Sequence, residues 1–383
     1  MAEAYIVEAV RTAGGRRHGR LMGWHPNDLG GAVLDAIVDR SGIDPAAVED
    51  VIMGCVMQAG EQSAHVGRSA VLASKLPQSV PAVTIDRQCG SSQQALQFAA
   101  QAVMSGTQDV VIASGVEHMS RVPMGSSSGG KNPWSARVLE RYNVANFSQF
   151  TGAEMIARKY GFTREDCDAY ALESHRRAAA AMARGDFGPE IVALEIETPE
   201  GTEVHDRDEG VRPDASMEGL GGLKTLAEGG VVTAGNASQI CDGSSAVLVV
   251  SERALKEHGL TPLARIVNLT VTGGDPVVML EEPLFATDKA LKRAGMTIAD
   301  IDLYEVNEAF APVPLAWLRH TGADRDRLNV NGGAIALGHP LGASGTKLMA
   351  TLVHALKARG KRYGLQTMCE GGGLANVTIV EAL

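Results

Sequence analysis

The sequence predicts an α/β protein built from two similar halves, with a different segment inserted between them. The segment SGIDPAAVEDVIMGCV (residues 41–56) resembles AGMTIADIDLYEVNEAF (residues 294–310). Each copy follows an Ala- and Leu-rich helix, has a glycine where that helix ends, and continues through an acidic turn into a strand. A glycine-containing turn, a long helix and a further strand follow both copies. Two βαβ-type halves related by a pseudo-twofold axis account for both observations.

The elements of the two halves follow the same order along the chain. In the first half the patterns predict helix 29–40, an apolar β-prone run at 80–85, helix 91–104, strand 109–114, and strand 246–251, which rejoins this half. In the second half they predict helix 287–293, strand 303–306, helix 346–357 and strand 363–368. Turns at corresponding positions of the halves should face one another. Cys89 should therefore lie near Gly338-His339-Pro340.

The middle of the chain has a different composition. Residues 119–134 are rich in Ser and Gly and predict a loop, and residues 200–230 are also largely loop. Helices are expected at 152–160 and from the capping-box pattern at Thr163 to Arg184. We therefore predict an N-terminal half at 1–118, rejoined at about 238–265, a loop domain at 119–237, and a C-terminal half at 266–383.

Composition narrows the functional class. The 383 residues are 45% apolar and 21% charged, with a formal net charge of −10. Basic blocks with interleaved aromatic residues are missing, so nucleic acid is not an expected partner. No apolar run has the length of a membrane span, and nothing resembles a signal peptide. The five cysteines are widely spaced, which predicts free thiols, no metal site and a cytoplasmic location.

Cys89, in the stretch DRQCGSSQQA (residues 86–95), is a candidate nucleophile. It lies between a predicted strand and a predicted helix, where helix N–H groups and the helix dipole should lower its pKa. A packing role is the alternative. His339 supports the catalytic reading, because it lies in a Gly- and Pro-rich turn, and pairing with histidine activates cysteine nucleophiles.

Two further stretches are candidates for the same chemistry. Cys369 ends a strand and enters three glycines, whose N–H groups suit an oxyanion site; a flexible loop is the alternative. Asn307 closes strand 303–306, where it either orients water or a carbonyl or caps the next helix. The other residues considered were predicted to be structural or solvated: Cys55, Cys167 and Cys241 as structural, His175, His258 and His354 as solvated, and GASGTK (342–347) as only a near miss to a phosphate loop.

Five motifs in this order resemble the thiolase family, the acetyl-CoA C-acyltransferases and acetoacetyl-CoA thiolases. They are the Cys89 turn, TAGNAS (233–238), NEAF (307–310), NGGAIALGHP (331–340) and CEG (369–371), and the match covers essentially the whole chain. The resemblance implies a five-layer αβαβα fold with an inserted loop domain. It also implies thiolytic cleavage of 3-ketoacyl-CoA, or the reverse Claisen condensation, with coenzyme A as co-substrate and no permanently bound cofactor.

The resemblance also implies roles for individual residues. Cys89 would carry the acyl group, and His339 would activate it and, with a water held by Asn307, stabilise the enolate. Cys369 would act as acid/base at the α-carbon. Backbone N–H groups of Cys89 and Gly371 would hold a second oxyanion. Contacts with the CoA substrate would come from three further residues: Ser238 at the pantetheine arm, Arg212 near the nucleotide, and Phe310. Members of the family form homodimers or homotetramers, and loop 120–134 would serve assembly or regulation.

The sequence departs from the family at two places. Ser148-Gln149-Phe150 replaces a common His-Met-Gly, and Glu370 follows Cys369 where an apolar residue is common. Both changes are expected near the acyl pocket, which favours a degradative enzyme over an acetoacetyl-CoA-forming biosynthetic thiolase. Cys369 argues against a decarboxylating or hydroxymethylglutaryl-type condensing enzyme. A non-catalytic acyl-CoA- or sterol-binding protein is the alternative from another class.

Overall fold

The computed structural model describes residues 2–383. Its strands are Ala4–Thr12 (β1), Gly15–Arg16 (β2), Asp50–Gly54 (β3), Ala82–Ile85 (β4), Val110–His118 (β5), Ile191–Val192 (β6), Leu194–Thr198 (β7), Gly201–His205 (β8), Cys241–Ser251 (β9), Ala264–Gly273 (β10), Leu303–Val306 (β11), Tyr363–Glu370 (β12) and Leu374–Ala382 (β13). Its α-helices are Pro26–Ser41 (α1), Val66–Leu72 (α2), Ser91–Ser105 (α3), Ala136–Tyr142 (α4), Gln149–Tyr160 (α5), Arg164–Arg184 (α6), Met217–Gly221 (α7), Glu252–His258 (α8), Glu282–Ala294 (α9), Pro312–Thr321 (α10), Ala334–Leu337 (α11) and Ser344–Arg359 (α12).

The sheet topology repeats between the two halves. The strand order is β11-β12-β13-β10-β1-β9-β5-β3-β4. From the outside towards the centre of the sheet, the first half has the strands β3, β5, β9 and β1. They correspond in this order to β11, β12, β13 and β10 of the second half. A parallel bridge from Leu328 to Tyr304 takes the place in the second half that β4 has in the first. The halves join where β1 pairs with β10, at Ile6 and Ala264. The predicted pair of similar halves is confirmed.

Five layers result from the packing of helices on these strands. Helices α1 and α2 cover the outer face of the first-half strands, and α9 and α10 cover that of the second-half strands. Helices α3 and α12 lie in the middle and share one buried apolar cluster with strands of both halves. Small residues such as Ala95, Ala99 and Ala350 allow these central helices to pack closely on both sides.

The repeat that predicted this architecture has the same local structure in both copies. Helices α1 and α9 end at Gly42 and Gly295, which adopt φ of 70° and 66°. This left-handed conformation favours glycine because it carries no Cβ. Short 3-10 helices follow at Pro45–Ala47 and Ile298–Asp300 before β3 and β11 begin.

Backbone contact joins the two central helices at their N-terminal ends. A Cβ on Gly345, in the first turn of α12, would lie 1.9 Å from the backbone nitrogen of Gln93 on α3. The backbone N–H of Thr346 also donates to Ser92 Oγ at 3.0 Å. The turns that precede α3 and α12 consequently lie side by side, as the pseudo-twofold relation predicted.

The segment between the halves contains helices α4 to α7 and the hairpin of β7 and β8. The capping box of Thr163 and Asp166 starts α6 as predicted, whereas α4 and the hairpin were not predicted. Helix α4 buries none of its side chains, so its sequence has no apolar stripe from which a helix could be predicted. The segment is fixed to β1 by the buried Arg11, which forms ion pairs with Glu190 at 2.7 Å and Asp208 at 2.8 Å. Among residues 2–383, every helix is too short or too polar to cross a membrane.

Candidate active site

Cys89 lies in a tight turn between β4 and α3. The preceding residue, Gln88, has a φ of 49°, a conformation that non-glycine residues rarely adopt. Hydrogen bonds hold the turn: Gly90 N donates to Arg87 O at 3.1 Å, and Arg87 N donates to Ser91 Oγ at 2.9 Å. Such a strand–turn–helix arrangement presents a side chain outward at the helix N-terminus. The Cys89 side chain is partly exposed there.

His339 is held in one tautomer by its neighbours. Its Nδ1 lies 2.5 Å from Ser344 Oγ, and that hydroxyl donates its proton to Pro340 O at 2.9 Å. The hydroxyl can therefore only accept from His339, so Nδ1 carries the imidazole proton. Nε2 remains as an acceptor and lies 3.3 Å from Asn307 Nδ2. His339 thus directs a free base towards the amide of Asn307.

The resting thiol and imidazole are both neutral. Burial raises the pKa of Cys89 to about 12, and the nearby Glu370 carboxyl adds to this effect. Burial lowers the pKa of His339 to about 3, with the Lys347 cation acting in the same direction. The expectation that the helix N-terminus lowers the Cys89 pKa is wrong for this state, because lost hydration outweighs the helix dipole. The thiolate form of Cys89 is therefore disfavoured in this state.

Cys369 lies beside Cys89 at the end of β12. It is buried, and burial raises the pKa of its thiol well above the ordinary 9.0, followed by the effects of Cys89 and Glu370. The three glycines form the tight connection to β13, with φ of 87° at Gly372 and 77° at Gly373. Gly371 lies against the Gln88 side chain, with a built Cβ 3.0 Å from Gln88 Oε1.

Glu370 points away from Cys369 and packs under the Cys89 turn. It is fully buried, and a Cβ on Gly90 would lie 1.9 Å from its carboxylate oxygen. Burial raises the pKa of Glu370 well above its usual range. The departure from an apolar residue at this position therefore affects both thiols through their electrostatic surroundings.

Asn307 continues the edge of β11 next to β12. Its backbone N–H donates to Thr367 O at 3.0 Å, two residues before Cys369. The helix-cap alternative is wrong, because α10 begins only at Pro312 and Ala311 is its N-cap. The Asn307 side chain is buried, and its Oδ1 has no hydrogen-bond partner among the described residues.

The predicted CoA contacts fall in two places. Ser238 N donates to Ala309 O at 2.9 Å, so Ser238 adjoins the NEAF segment. Phe310 is buried, and its ring meets Phe150 edge to face at 5.6 Å between centroids. Arg212 lies in the inserted segment, where its side chain is exposed and its backbone N–H donates to His175 Nδ1 at 3.1 Å.

The remaining candidates are mostly structural. Cys55, Cys167 and Cys241 are buried, in agreement with the structural role predicted for them, and Cys241 is the first residue of β9. His258 is exposed, as predicted. The prediction was wrong for His175, which is buried, and for His354, whose half-buried ring lies with Nε2 2.9 Å from Ala9 O.

Three further buried charged residues, which were not predicted from the sequence, fix the turns around these candidate residues. Glu117 accepts the N–H groups of Met57 at 3.0 Å and Gly342 at 2.8 Å, and so links the two halves. Lys347 Nζ donates to Leu337 O at 2.6 Å and Gly338 O at 3.0 Å, just before His339. Glu308 accepts from Ser174, Asn329, Tyr170 and Ile335 N. A charged residue within an apolar stretch was the feature of the sequence that could have identified them. The lysine of GASGTK binds backbone carbonyls, so this motif needs no bound phosphate to explain it.

Comparisons with known proteins identify the family. The thiolase N-terminal domain model matches residues 4–253, and the thiolase C-terminal domain model matches residues 260–382. The chain belongs to the thiolase family. It is a thiolytic acyl-CoA acyltransferase, an enzyme that acts on CoA thioesters, and so the reading as a non-catalytic binding protein is not supported. Among residues 2–383, no cluster of three or more His, Cys, Asp or Glu side chains could hold a metal ion.

Relatives of this chain are named either as 3-ketoacyl-CoA thiolases or as acetyl-CoA acetyltransferases. "Steroid 3-ketoacyl-CoA thiolase FadA6" of Mycobacterium tuberculosis is 52% identical over all of this chain and 95% of its own length. "Acetyl-CoA acetyltransferase" of Escherichia coli is 42% identical over the whole of both chains. The crystal structure of human mitochondrial 3-ketoacyl-CoA thiolase superimposes with a TM-score of 0.91 at 38% identity, over 100% of this chain and 99% of that one.

The buried His175 makes the stability of the thiolase depend on pH. Burial lowers its pKa from 6.5 to about 4, with the Arg212 cation acting in the same direction. The unfolded chain therefore binds a proton that the folded chain does not, so this stabilisation is complete above pH 6.5 and is lost as the pH falls towards 4. His175→Asn keeps an acceptor near the Nδ1 position and removes the titration. From pH 7 to pH 4 its free energy of unfolding should fall by about 3 kcal/mol less than that of the wild type.

Urea unfolding at several pH values across this range measures the difference, with the exposed His258→Asn as the matched control. An unchanged pH dependence in His175→Asn would contradict the prediction.

Proposed function

We propose that this thiolase cleaves 3-ketoacyl-CoA through an acyl intermediate on Cys89. The proposal is supported by the two neighbouring thiols, Cys89 and Cys369, and by the His339 imidazole, whose Nε2 remains a base in the turn that precedes α12, beside the N-terminal end of α3. Breaking a carbon–carbon bond beside a ketone needs a nucleophile for the carbonyl carbon and a separate acid for the carbon that leaves. One thiol cannot serve both purposes.

The proposed reaction has two stages, formation of an acyl group on Cys89 and its transfer to coenzyme A. Cys89 Sγ attacks the ketone carbon and gives its proton to His339 Nε2; the C2–C3 bond then breaks, and its electron pair leaves as the enolate of acetyl-CoA. Cys369 gives its proton to C2 of that enolate. Coenzyme A then attacks the acyl–Cys89 thioester, returning the thiol of Cys89 and releasing an acyl-CoA shortened by two carbons. Cys369 recovers its proton from the entering CoA thiol or from His339.

Two sites stabilise negative charge on oxygen in this proposal. The enolate oxygen lies at the side chain of His339 and at a water held by Asn307. The oxyanion formed at the Cys89 thioester lies at the backbone N–H groups of Cys89 and Gly371. The contact between Gly371 and the Gln88 turn supports the second site. Loss of one donor from such a site typically slows a reaction by roughly 10²–10³.

Coenzyme A is the proposed co-substrate, and no bound cofactor takes part. Phe310 follows Asn307 by three residues, and Ser238 lies beside the same segment through its hydrogen bond to Ala309 O, which supports contact with the pantetheine arm and the acyl group. The exposed Arg212 would contact the nucleotide. We also propose that residues 119–237 act as the loop domain between the halves. The five free cysteines support a cytoplasmic location.

The acyl intermediate can be tested by mass. Incubation with acyl-CoA should add one acyl group to the Cys89 peptide of the wild type, and none in Cys89→Ala. Cys369→Ala should still become acylated, but its rate of thiolysis should fall by at least about 10²-fold, because no acid remains for C2. Cys55→Ala, which removes a buried thiol outside the site, is the control. An adduct on another residue would contradict the role of Cys89, and normal thiolysis in Cys369→Ala would contradict the acid role.

We propose further that the acyl group is larger than acetoacetyl. Phe150, at the place of the common His-Met-Gly, contacts Phe310 and lines a pocket whose apolar side also contains Leu226 and Val232, while Glu154, Arg158 and Glu228 line the rest. The steroid substrate in the name of the Mycobacterium tuberculosis relative supports a branched or cyclic acyl group. An apolar pocket distinguishes substrates by about 1–3 kcal/mol for each methylene group.

A panel of 3-ketoacyl-CoA substrates tests this specificity. The kcat/KM for branched or cyclic substrates should exceed that for acetoacetyl-CoA at least about tenfold. Phe150→Ala should change this ratio, whereas Phe285→Ala, which alters an exposed ring elsewhere, should not. A strong preference for acetoacetyl-CoA would contradict the proposal and favour the biosynthetic alternative.

The edge strand β4 supports a homodimer or a homotetramer. Its outer backbone groups are unpaired within the described chain, Val83 on it is 40% exposed, and Leu72 of the adjacent α2 is 59% exposed. An exposed apolar edge is a template for pairing with a second copy. Light scattering should therefore give two or four times the 40.2 kDa of the chain. Val83→Lys should shift the mass towards the monomer, and a monomeric wild type would contradict the proposal.

A further inference from the structure

A small internal cavity lies behind the catalytic histidine. It has room for about one water molecule. Five polar side chains line it: Glu305, Asn307, Ser344, Lys347 and Thr351. Ser344 and Asn307 are also within hydrogen-bond distance of the His339 ring, so the cavity adjoins the candidate site.

Strand and helix periodicity bring these side chains together. Glu305 is on β11 and Asn307 follows it two residues later, so both side chains point to the same face of the sheet. Helix α12 covers that face, and residues three or four apart lie on one side of a helix. Ser344, Lys347 and Thr351 have that spacing, and they face the end of β11.

The cavity contains polar atoms without partners. Glu305 and Asn307 are 2% and 1% exposed, and neither Glu305 Oε2 nor Asn307 Oδ1 has a hydrogen-bond partner among residues 2–383. The Lys347 ammonium has three N–H groups, two of which bind Leu337 O and Gly338 O. Leaving a buried polar group unpaired destabilises a protein by about 1–3 kcal/mol. A single water would provide partners for all three groups.

We propose that one water in this cavity joins Lys347 and Glu305 to Asn307 Oδ1, which makes Glu305 and Lys347 positioning residues for Asn307. The inference rests on the proposed role of Asn307 at the enolate. With its Oδ1 bound on the cavity side, the amide must turn Nδ2 towards His339 and the enolate oxygen. The reversed amide would direct an acceptor at His339 Nε2, which is also an acceptor, and the donor to the enolate would be lost.

Glu305 is suited to this role as a neutral acid. Burial raises the pKa of its carboxyl well above 4.5, followed by the repulsion of Glu308 and Glu190, while Arg359 acts in the opposite direction. The neutral carboxyl can donate an O–H to the water, and the water then donates to Asn307 Oδ1. Lys347 supplies a second donor to the same water.

Separate assays of acyl exchange and of thiolysis test the inference. Exchange of an acyl group between acetyl-CoA and labelled CoA needs Cys89 and His339, but no enolate forms in it. Thiolysis needs the same two residues and also passes through the enolate. Glu305→Leu should slow thiolysis about tenfold to a hundredfold, less than the roughly 10²–10³ for an oxyanion donor, and should change acyl exchange less than about twofold. Glu305→Gln should keep most of the activity, because an amide can still bind the water.

Controls distinguish this inference from the proposed function. Thr272→Val removes another buried, unpartnered polar atom that lies outside the cavity, and it should leave the ratio of the two rates unchanged. In an Asn307→Ala background, Glu305→Leu should have no further effect on thiolysis. If Asn307→Ala itself spares thiolysis, the proposed role of Asn307 fails; if Asn307→Ala slows it and Glu305→Leu does not, only the inference fails.

A high-resolution crystal structure of the unmodified enzyme gives a test that needs no variant. Density for one water within hydrogen-bond distance of Lys347 Nζ, Glu305 and Asn307 Oδ1 is the expected result. A cavity without water, or a direct bond from Glu305 to its register neighbour Gln366, overturns the inference. Equal loss of acyl exchange and thiolysis in Glu305→Leu also overturns it, because the residue would then support the site as a whole.

Discussion

The backbone contact between α3 and α12 is the constraint on which the site depends. At Gly345 no side chain fits between the helices, because a Cβ would lie 1.9 Å from Gln93 N. Gly54 is confined in the same way, with its built Cβ 2.5 Å from Ser92 N and 2.6 Å from Gly342 O. These contacts join the N-terminal ends of two helices from different halves. The Cys89 turn and the His339 turn, which immediately precede those helices, are thereby placed together.

Buried charges fix the turns that this contact brings together. Glu117 reaches from β5 of the first half to the N–H of Gly342 in the second, and Lys347 holds the carbonyls just before His339. Removing one partner of such an interaction leaves a charge unpaired in a low-dielectric interior, which is strongly destabilising. These interactions therefore define one arrangement of the catalytic loops. These interactions fix the position of the turns and add little net stability.

Burial also sets the chemical state of the site before substrate binds. Desolvation disfavours the thiolate of Cys89 and the imidazolium of His339, so a neutral pair is the resting state. Glu370, packed below the Cys89 turn, adds to the bias against the thiolate. In the proposed reaction, the Cys89 thiolate would therefore form only as its proton passes to His339 and the sulfur attacks the substrate.

The two-half architecture could be predicted from the sequence, because the repeated pattern of helix, glycine, acidic turn and strand is local and periodic. The sequence also identified Cys89, His339, Cys369 and Asn307 as candidates, since these residues lie where strands end or between glycines. Helix α4 and strand β8 were not predicted because their side chains are mostly exposed, whereas the alternation of buried Leu194 and Ile196 in β7 was an available signal that was missed. The tautomer of His339, the direction of the Cys89 pKa shift and the roles of Glu117 and Lys347 follow only from the three-dimensional structure. Each of these depends on burial and on partners distant in the chain, which no local pattern specifies.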